Sequence, residues 1–258
     1  MIYDDYKRNH VILPNRENAL LDFLESDYDG MKHKWRNRLS SNSEDALTWS
    51  CFDVIRQLSF QNKVSALDEI IQDSFDTNPP FCFKNLNLKD EEINIYIGKE
   101  YTGQLGEKTE VDASIEFPSG LVFFEAKLYS SISIATSSKP YDQIARKLRV
   151  GLDFPLNDER NFYFIFLDIA PLEKINKRAS KEKASKDGKG FHNKWKSAWW
   201  FSYYKKGRNG SYKPIKSILE GIDTPPIEKI TKNMGWLTWS DLFKSVMRGM
   251  VKSFVEGE

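Results

Sequence analysis

Residues 110–127 read Glu-Val-Asp-Ala-Ser-Ile-Glu-Phe-Pro-Ser-Gly-Leu-Val-Phe-Phe-Glu-Ala-Lys, two alternating runs around a Pro-Ser-Gly turn signal, and this pattern predicts a β-hairpin. Taking Ser119-Gly120 as a two-residue loop sets Pro118 against Leu121 and Asp112 against Lys127. The period of two then sorts the side chains. One face carries Val111, Ala113, Ile115 and Phe117 against Val122, Phe124, Ala126 and Leu128, an unbroken apolar surface suited to a core. The other gathers Asp112, Glu125 and Lys127.

Strands seldom carry Asp or Lys unless these are exposed or paired. Two readings account for the charged trio. In the first, the polar face meets solvent and Lys127 pairs with Asp112, an ordinary cross-strand contact. In the second, Asp112 and Glu125 offer oxygen ligands to a hard divalent cation. Water and a substrate phosphate complete the octahedron that Mg2+ prefers, and Lys127 orients or deprotonates the attacking water.

At these residues the chain resembles the PD-(D/E)XK nuclease superfamily, whose motif is an acidic residue on one strand followed by Asp or Glu, any residue, and Lys on the next. Asp112 and Glu125-Ala126-Lys127 match in type, order and spacing, while Val111 stands where the motif's name has proline. The resemblance implies a restriction-endonuclease-like αβββαβ core and Mg2+ as cofactor, with Mn2+ able to substitute. It also implies an acidic residue from the first core helix, a Gln on the helix after the Glu-x-Lys strand, and the Ala126 carbonyl as a further ligand.

The flanking elements are predicted in the order the core requires. Residues 15–25 and 62–75 are amphipathic helices, and between them Leu47, Cys51, Ile55 and Leu58 repeat at helical spacing after the cap candidates Ser41 and Ser43. Glu44, with Asp45 the less favoured neighbour, is the acid the resemblance assigns to the metal site. The alternative is a capping box in which Glu44 bonds only backbone amides. Ile93, Ile95 and Ile97 alternate in a strand, and residues 98–109 form a loop. After a Ser-rich crossing, Pro140 opens a helix to about Val150, on which Gln143 matches the family's glutamine; a solvated polar face is its bland alternative. Lys147 and Arg149 are either phosphate contacts or surface charge. Residues 162–169 are an apolar run suited to a strand buried on both sides.

A net charge of +1 conceals an asymmetry. Residues 174–213 hold thirteen Lys or Arg against Glu182 and Asp187. Lys181, Lys183, Lys186 and Lys189, in a Lys, Ser and Gly-rich loop, and Lys205, Lys206 and Arg208, after a cluster of Trp and Tyr, are candidates together with Lys147 for contacts to a nucleic-acid backbone. The aromatic rings themselves read as core. The final helix, 238–254, carries Phe243, Val246, Met247, Met250 and Phe254 on one face, with Leu242 and Val251 at its edges, a stripe suited to the core or to a dimer partner.

No run reaches the eighteen or so apolar residues of a membrane span, and no apolar leader opens the sequence. Cys51 and Cys82, each beside aromatic residues, read as reduced core thiols, which points to the cytoplasm. These readings combine into one α/β domain over 1–258: a core at about 41–170 with a mixed sheet flanked by helices, N-terminal helices, and a basic aromatic elaboration at about 171–258. The expected function is Mg2+-dependent hydrolysis of DNA, with RNA left open and a role in restriction, defence or repair. Asp112, Glu125, Glu44 and the Ala126 carbonyl bind metal, while Lys127 and Gln143 orient the reacting groups. Cutting both strands of a duplex favours a homodimer. The alternative is a catalytically inactive nucleic-acid-binding or assembly module on the same fold.

Overall fold

In the computed structural model, Phe117 pairs with Gly120, so Pro118 and Ser119 make the hairpin loop. Proline cannot donate to a ladder and is better placed in the turn than opposite Leu121. The strands β2, Lys108–Phe117, and β3, Gly120–Lys127, therefore pair as Ala113 with Phe124 and Ile115 with Val122. Continued by one step, this register sets Asp112 across from Glu125 and corrects the expected Asp112–Lys127 pairing. The correction is a shift of two residues, which equals the side-chain period, so every face assignment survives. The structure describes residues 1–9, 13–26, 33–75, 79–128, 133, 136–137, 139–155, 160–168 and 215–256.

Strand β1, Asn94–Thr102, runs antiparallel to β2 and extends through half of the stretch expected to be a loop. Gly98 permits this by taking φ +65°, after which the ladder resumes at Lys99 and Val111. Tyr101 then lies buried, its hydroxyl 2.7 Å from both Ser114 Oγ and a Glu116 carboxylate oxygen. Strand β4, Asn161–Asp168, pairs parallel with β3, and β5, Met234–Thr238, pairs parallel with β4. The sheet has five strands in the order β1-β2-β3-β4-β5. As expected of a strand covered on both sides, β4 is buried from Phe162 onward. The fifth strand was not foreseen, because Met-Gly-Trp-Leu-Thr is short and does not alternate.

Helices α1, Glu17–Glu25, and α2, His33–Asn37, precede α3, Glu44–Gln57, and α4, Phe60–Phe75. Helix α3 covers the face that holds Phe124, with the Phe52 and Phe124 rings 4.8 Å apart. Helix α5, Gln143–Asp153, covers the opposite face, where Gly151 leaves room for the Phe162 ring against its backbone. It starts later than expected, because buried Asp142 caps it, accepting the Ile144 and Ala145 N–H groups at 3.0 Å each, while Pro140 stays outside. Both sheet faces are thus layered with helix, so the surface-hairpin reading is set aside. After α6, Ile215–Ile218, and α7, Ile227–Lys232, comes α8, Trp239–Glu256, whose start is capped by Thr238 Oγ1.

Helix α8 is rotated from the expected orientation. Trp239, Leu242, Ser245 and Val246 are buried, while Phe243 is 37% exposed, Met247 39% and Phe254 72%. Gly249 determines this by admitting Leu58 from the end of α3: a Cβ there would lie 2.6 Å from Leu58 Cδ1. Arg149 likewise is no surface charge. It is buried, chelates Glu107 at 2.5–2.9 Å, donates to the Ile218 and Glu220 carbonyls, and so ties α5 to the β1–β2 loop and α6. Cys51 is a buried free thiol whose pKa burial pushes up to about 12, and Cys82 is also unpaired. Lys181, Lys183, Lys186, Lys189, Lys205, Lys206 and Arg208, with the aromatic cluster before them, lie outside the described residues.

Candidate active site

The end of the β2–β3 ladder brings a carboxylate from each strand together. Asp112 Oδ2 accepts the Ala126 N–H at 2.7 Å, which holds Asp112 against the backbone between Glu125 and Lys127. Glu125 is completely buried, a position a carboxylate occupies only when cations accompany it. Lys127 Nζ lies 2.8 Å from Glu125 Oε1, and Lys147, descending from α5, contacts Glu125 Oε2 and approaches Asp112 Oδ1 at 3.3 Å. The three residues of the sequence motif therefore converge.

Glu44 joins from the other layer. Ser43 is the N-cap of α3, accepting the Ala46 N–H, so Glu44 begins the helix and its side chain reaches past the end of β3. Glu44 Oε1 lies 3.2 Å from Lys127 Nζ and Oε2 accepts the Leu128 N–H at 2.8 Å. The capping-box alternative is set aside. Both Glu44 oxygens are engaged here, in holding Lys127 and the end of β3. Lys127 also donates to the Ala126 carbonyl at 2.8 Å, and Trp239 Nε1 donates to the Lys127 carbonyl at 3.0 Å, closing the site from the α8 side.

Burial would push the Lys127 ammonium down, but the facing carboxylates of Glu125, Asp112 and Glu44 outweigh it and raise its pKa well above that of a free lysine. Lys127 in this setting is a charged donor. It can orient a ligand. Lys147 is raised in the same sense: burial lowers it, and Asp112 and Glu125 more than compensate. Its inward placement corrects its expected role as an exposed backbone contact. Ile144, Lys147, Leu148 and Gly151 share the sheet-facing side of α5, a spacing that marks Lys147 as a core position in the sequence.

Asp112, Gln143 and Lys147 line a cleft of about 460 Å3 of mixed charge, whose walls carry Lys108, Lys139 and Arg146 together with Glu100, Glu107 and Glu110. Gln143, part-exposed at the start of α5, accepts the Ser133 N–H through Oε1 at 3.2 Å. Asp45 belongs here too. Burial, followed by the charge of Asp112, raises its carboxyl to about 6, with His33 and Lys34 pulling the other way.

Among the described residues, no group of three Asp, Glu, His or Cys side chains is arranged to hold a metal ion. The oxygen donors that remain are the Asp112 and Glu125 carboxylates and the Ala126 carbonyl. This hard set suits Mg2+ when water and phosphate supply the rest of the shell, provided that Lys147 withdraws from between the carboxylates. No family model matches the chain, and no match is found among curated proteins or solved structures. Fold and site define an α/β protein with a five-stranded mixed sheet, helices on both faces and a charged cluster at the end of its central strands. No described helix is long and apolar enough to cross a membrane.

Proposed function

We propose that the chain is a metal-dependent phosphodiester hydrolase acting on DNA, built on a restriction-endonuclease-like core. The observation that carries the reading is the convergence of Asp112, Glu125 and Lys127 at the end of the hairpin, beside a cleft lined by both basic and acidic residues. The element order α3-α4-β1-β2-β3-α5-β4, an αβββαβ succession with α4 inserted before the first strand, supports the fold assignment. Asp112, Glu125 and the Ala126 carbonyl would hold a Mg2+ ion, or Mn2+ in its place. Such an ion supplies a water of lowered pKa and offsets charge at the phosphate.

The chain's own residues then divide the work. Lys127, kept protonated by its carboxylate partners, donates to the reacting oxygen or to the nucleophilic water. Glu44 positions Lys127. Gln143 fixes residue 133 at the wall of the cleft, and Lys139 and Arg146 meet the phosphate backbone. The basic segment 174–213 extends the same attraction to a polyanion. Incubation with plasmid, linear and single-stranded DNA, with and without Mg2+, tests the reading: metal-dependent cleavage by the wild type and none by Asp112→Asn is the expected pattern. Equal cleavage by both proteins refutes it.

A second reading has its own support. Glu125 is completely buried and already neutralised by two lysines, as befits a nucleic-acid-binding or assembly module that performs no hydrolysis. That module binds DNA in a salt-dependent manner and cleaves nothing in Mg2+ or Mn2+.

A further inference from the structure

Four oxygens of Asp112 and Glu125 meet at the site and share three partners. Asp112 Oδ2 is held by the Ala126 N–H and Glu125 Oε1 by Lys127. The remaining two, Asp112 Oδ1 and Glu125 Oε2, are the ones Lys147 bridges. A divalent cation held by Asp112 and Glu125 would compete with Lys147 for these carboxylates. A lysine in the middle of a sheet-facing stripe is costly to bury, and here two carboxylates justify it.

We propose that Lys147 is a built-in counter-cation that keeps Glu125 compensated until a divalent metal displaces it, and that the released ammonium moves into the cleft towards a phosphate. The inference rests on the metal site proposed above. Metal and a phosphate-bearing strand then bind cooperatively, because the cleft's own glutamates, Glu100, Glu107 and Glu110, are already paired with Lys108, Arg149 and Lys34 and its walls add Lys139 and Arg146, so a displaced ammonium gains a new anionic partner there when a phosphate brings one. The lysine thereby couples metal uptake to the presence of nucleic acid.

Acylation of the native full chain with an amine-reactive ester, read peptide by peptide by mass spectrometry, tests this in the wild type. Expected is weak labelling of Lys147 without metal, a severalfold rise on adding Mn2+ with a short oligodeoxynucleotide carrying non-hydrolysable linkages, a smaller rise with Mn2+ alone and none with the oligonucleotide alone. Mn2+ binding, followed in parallel by calorimetry, tightens about tenfold in Lys147→Met because its competitor is gone. Unchanged Lys147 labelling, or Mn2+ binding to Lys147→Met no tighter than to wild type, overturns the proposal. The labelling needs no variant, so it decides the matter even if Lys147→Met does not fold. Exchange of Lys147 without any DNA cleavage sinks only the hydrolase reading; cleavage without exchange sinks only this one.

Discussion

The Asp112 carboxylate accepts the Ala126 N–H at 2.7 Å, joining β2 to the backbone link between Glu125 and Lys127. Asp112 thus has a structural task alongside its proposed chemical one, and the two can be separated. Asn at 112 can still accept the Ala126 N–H but has lost its charge, whereas Ala leaves that donor without its partner. Asp112→Asn, whose amide NH2 would face Lys147, should lose cleavage and some stability, while Asp112→Ala should be destabilised by about 1–3 kcal/mol more. Urea denaturation beside the plasmid assay separates the outcomes.

Lys127 is expected to be structurally expensive to remove. Lys127→Ala withdraws one of the two cations from completely buried Glu125 and should cost about 3–5 kcal/mol. The paired change Lys127→Met with Glu125→Gln removes both charges and should cost clearly less. Comparing the two by chemical denaturation measures the coupling; equal losses would show that Lys127 and Glu125 are not an ion pair in solution.

Asp45 should shape the pH profile of stability. Its carboxyl is raised to about 6 by burial and the nearby Asp112, against an ordinary value of 3.8. Between these values the folded state binds more protons than the unfolded one, so this group's contribution falls as pH rises from about 4 to 6 and is flat above. Asp45→Asn should flatten that part of the profile and gain about 1–3 kcal/mol relative to wild type at pH 7. Thermal melts of both proteins at pH 4.5 and 7.5 read the difference.

Gly98 allows β1 to pass opposite Asp112. At φ +65°, with a Cβ that would sit 2.8 Å from Phe23 Cε2, Gly98→Ala combines backbone strain with a clash. A loss of about 1–3 kcal/mol is expected by denaturation.

Helix α8 provides a check on its orientation. Leu242→Ala, at a fully buried position, should cost about 2–5 kcal/mol, and Phe243→Ala, more than a third exposed, under about 1 kcal/mol. The reverse order would restore the stripe expected from helical spacing.

Local periodicity alone determined which side chains of the hairpin share a face, since alternation follows from strand geometry and survives any shift by two. It also marked α3, α4, β4 and the existence of α5 and α8. Partner choice was decided by tertiary structure. Asp112 faces Glu125 because proline took the turn; α8 buries Leu242 because Gly249 admits Leu58; Glu44 meets Lys127 across 83 positions of chain. Lys147 reaches Glu125 because α5 lies across β3, and no repeat within a helix encodes which strand that helix will cover.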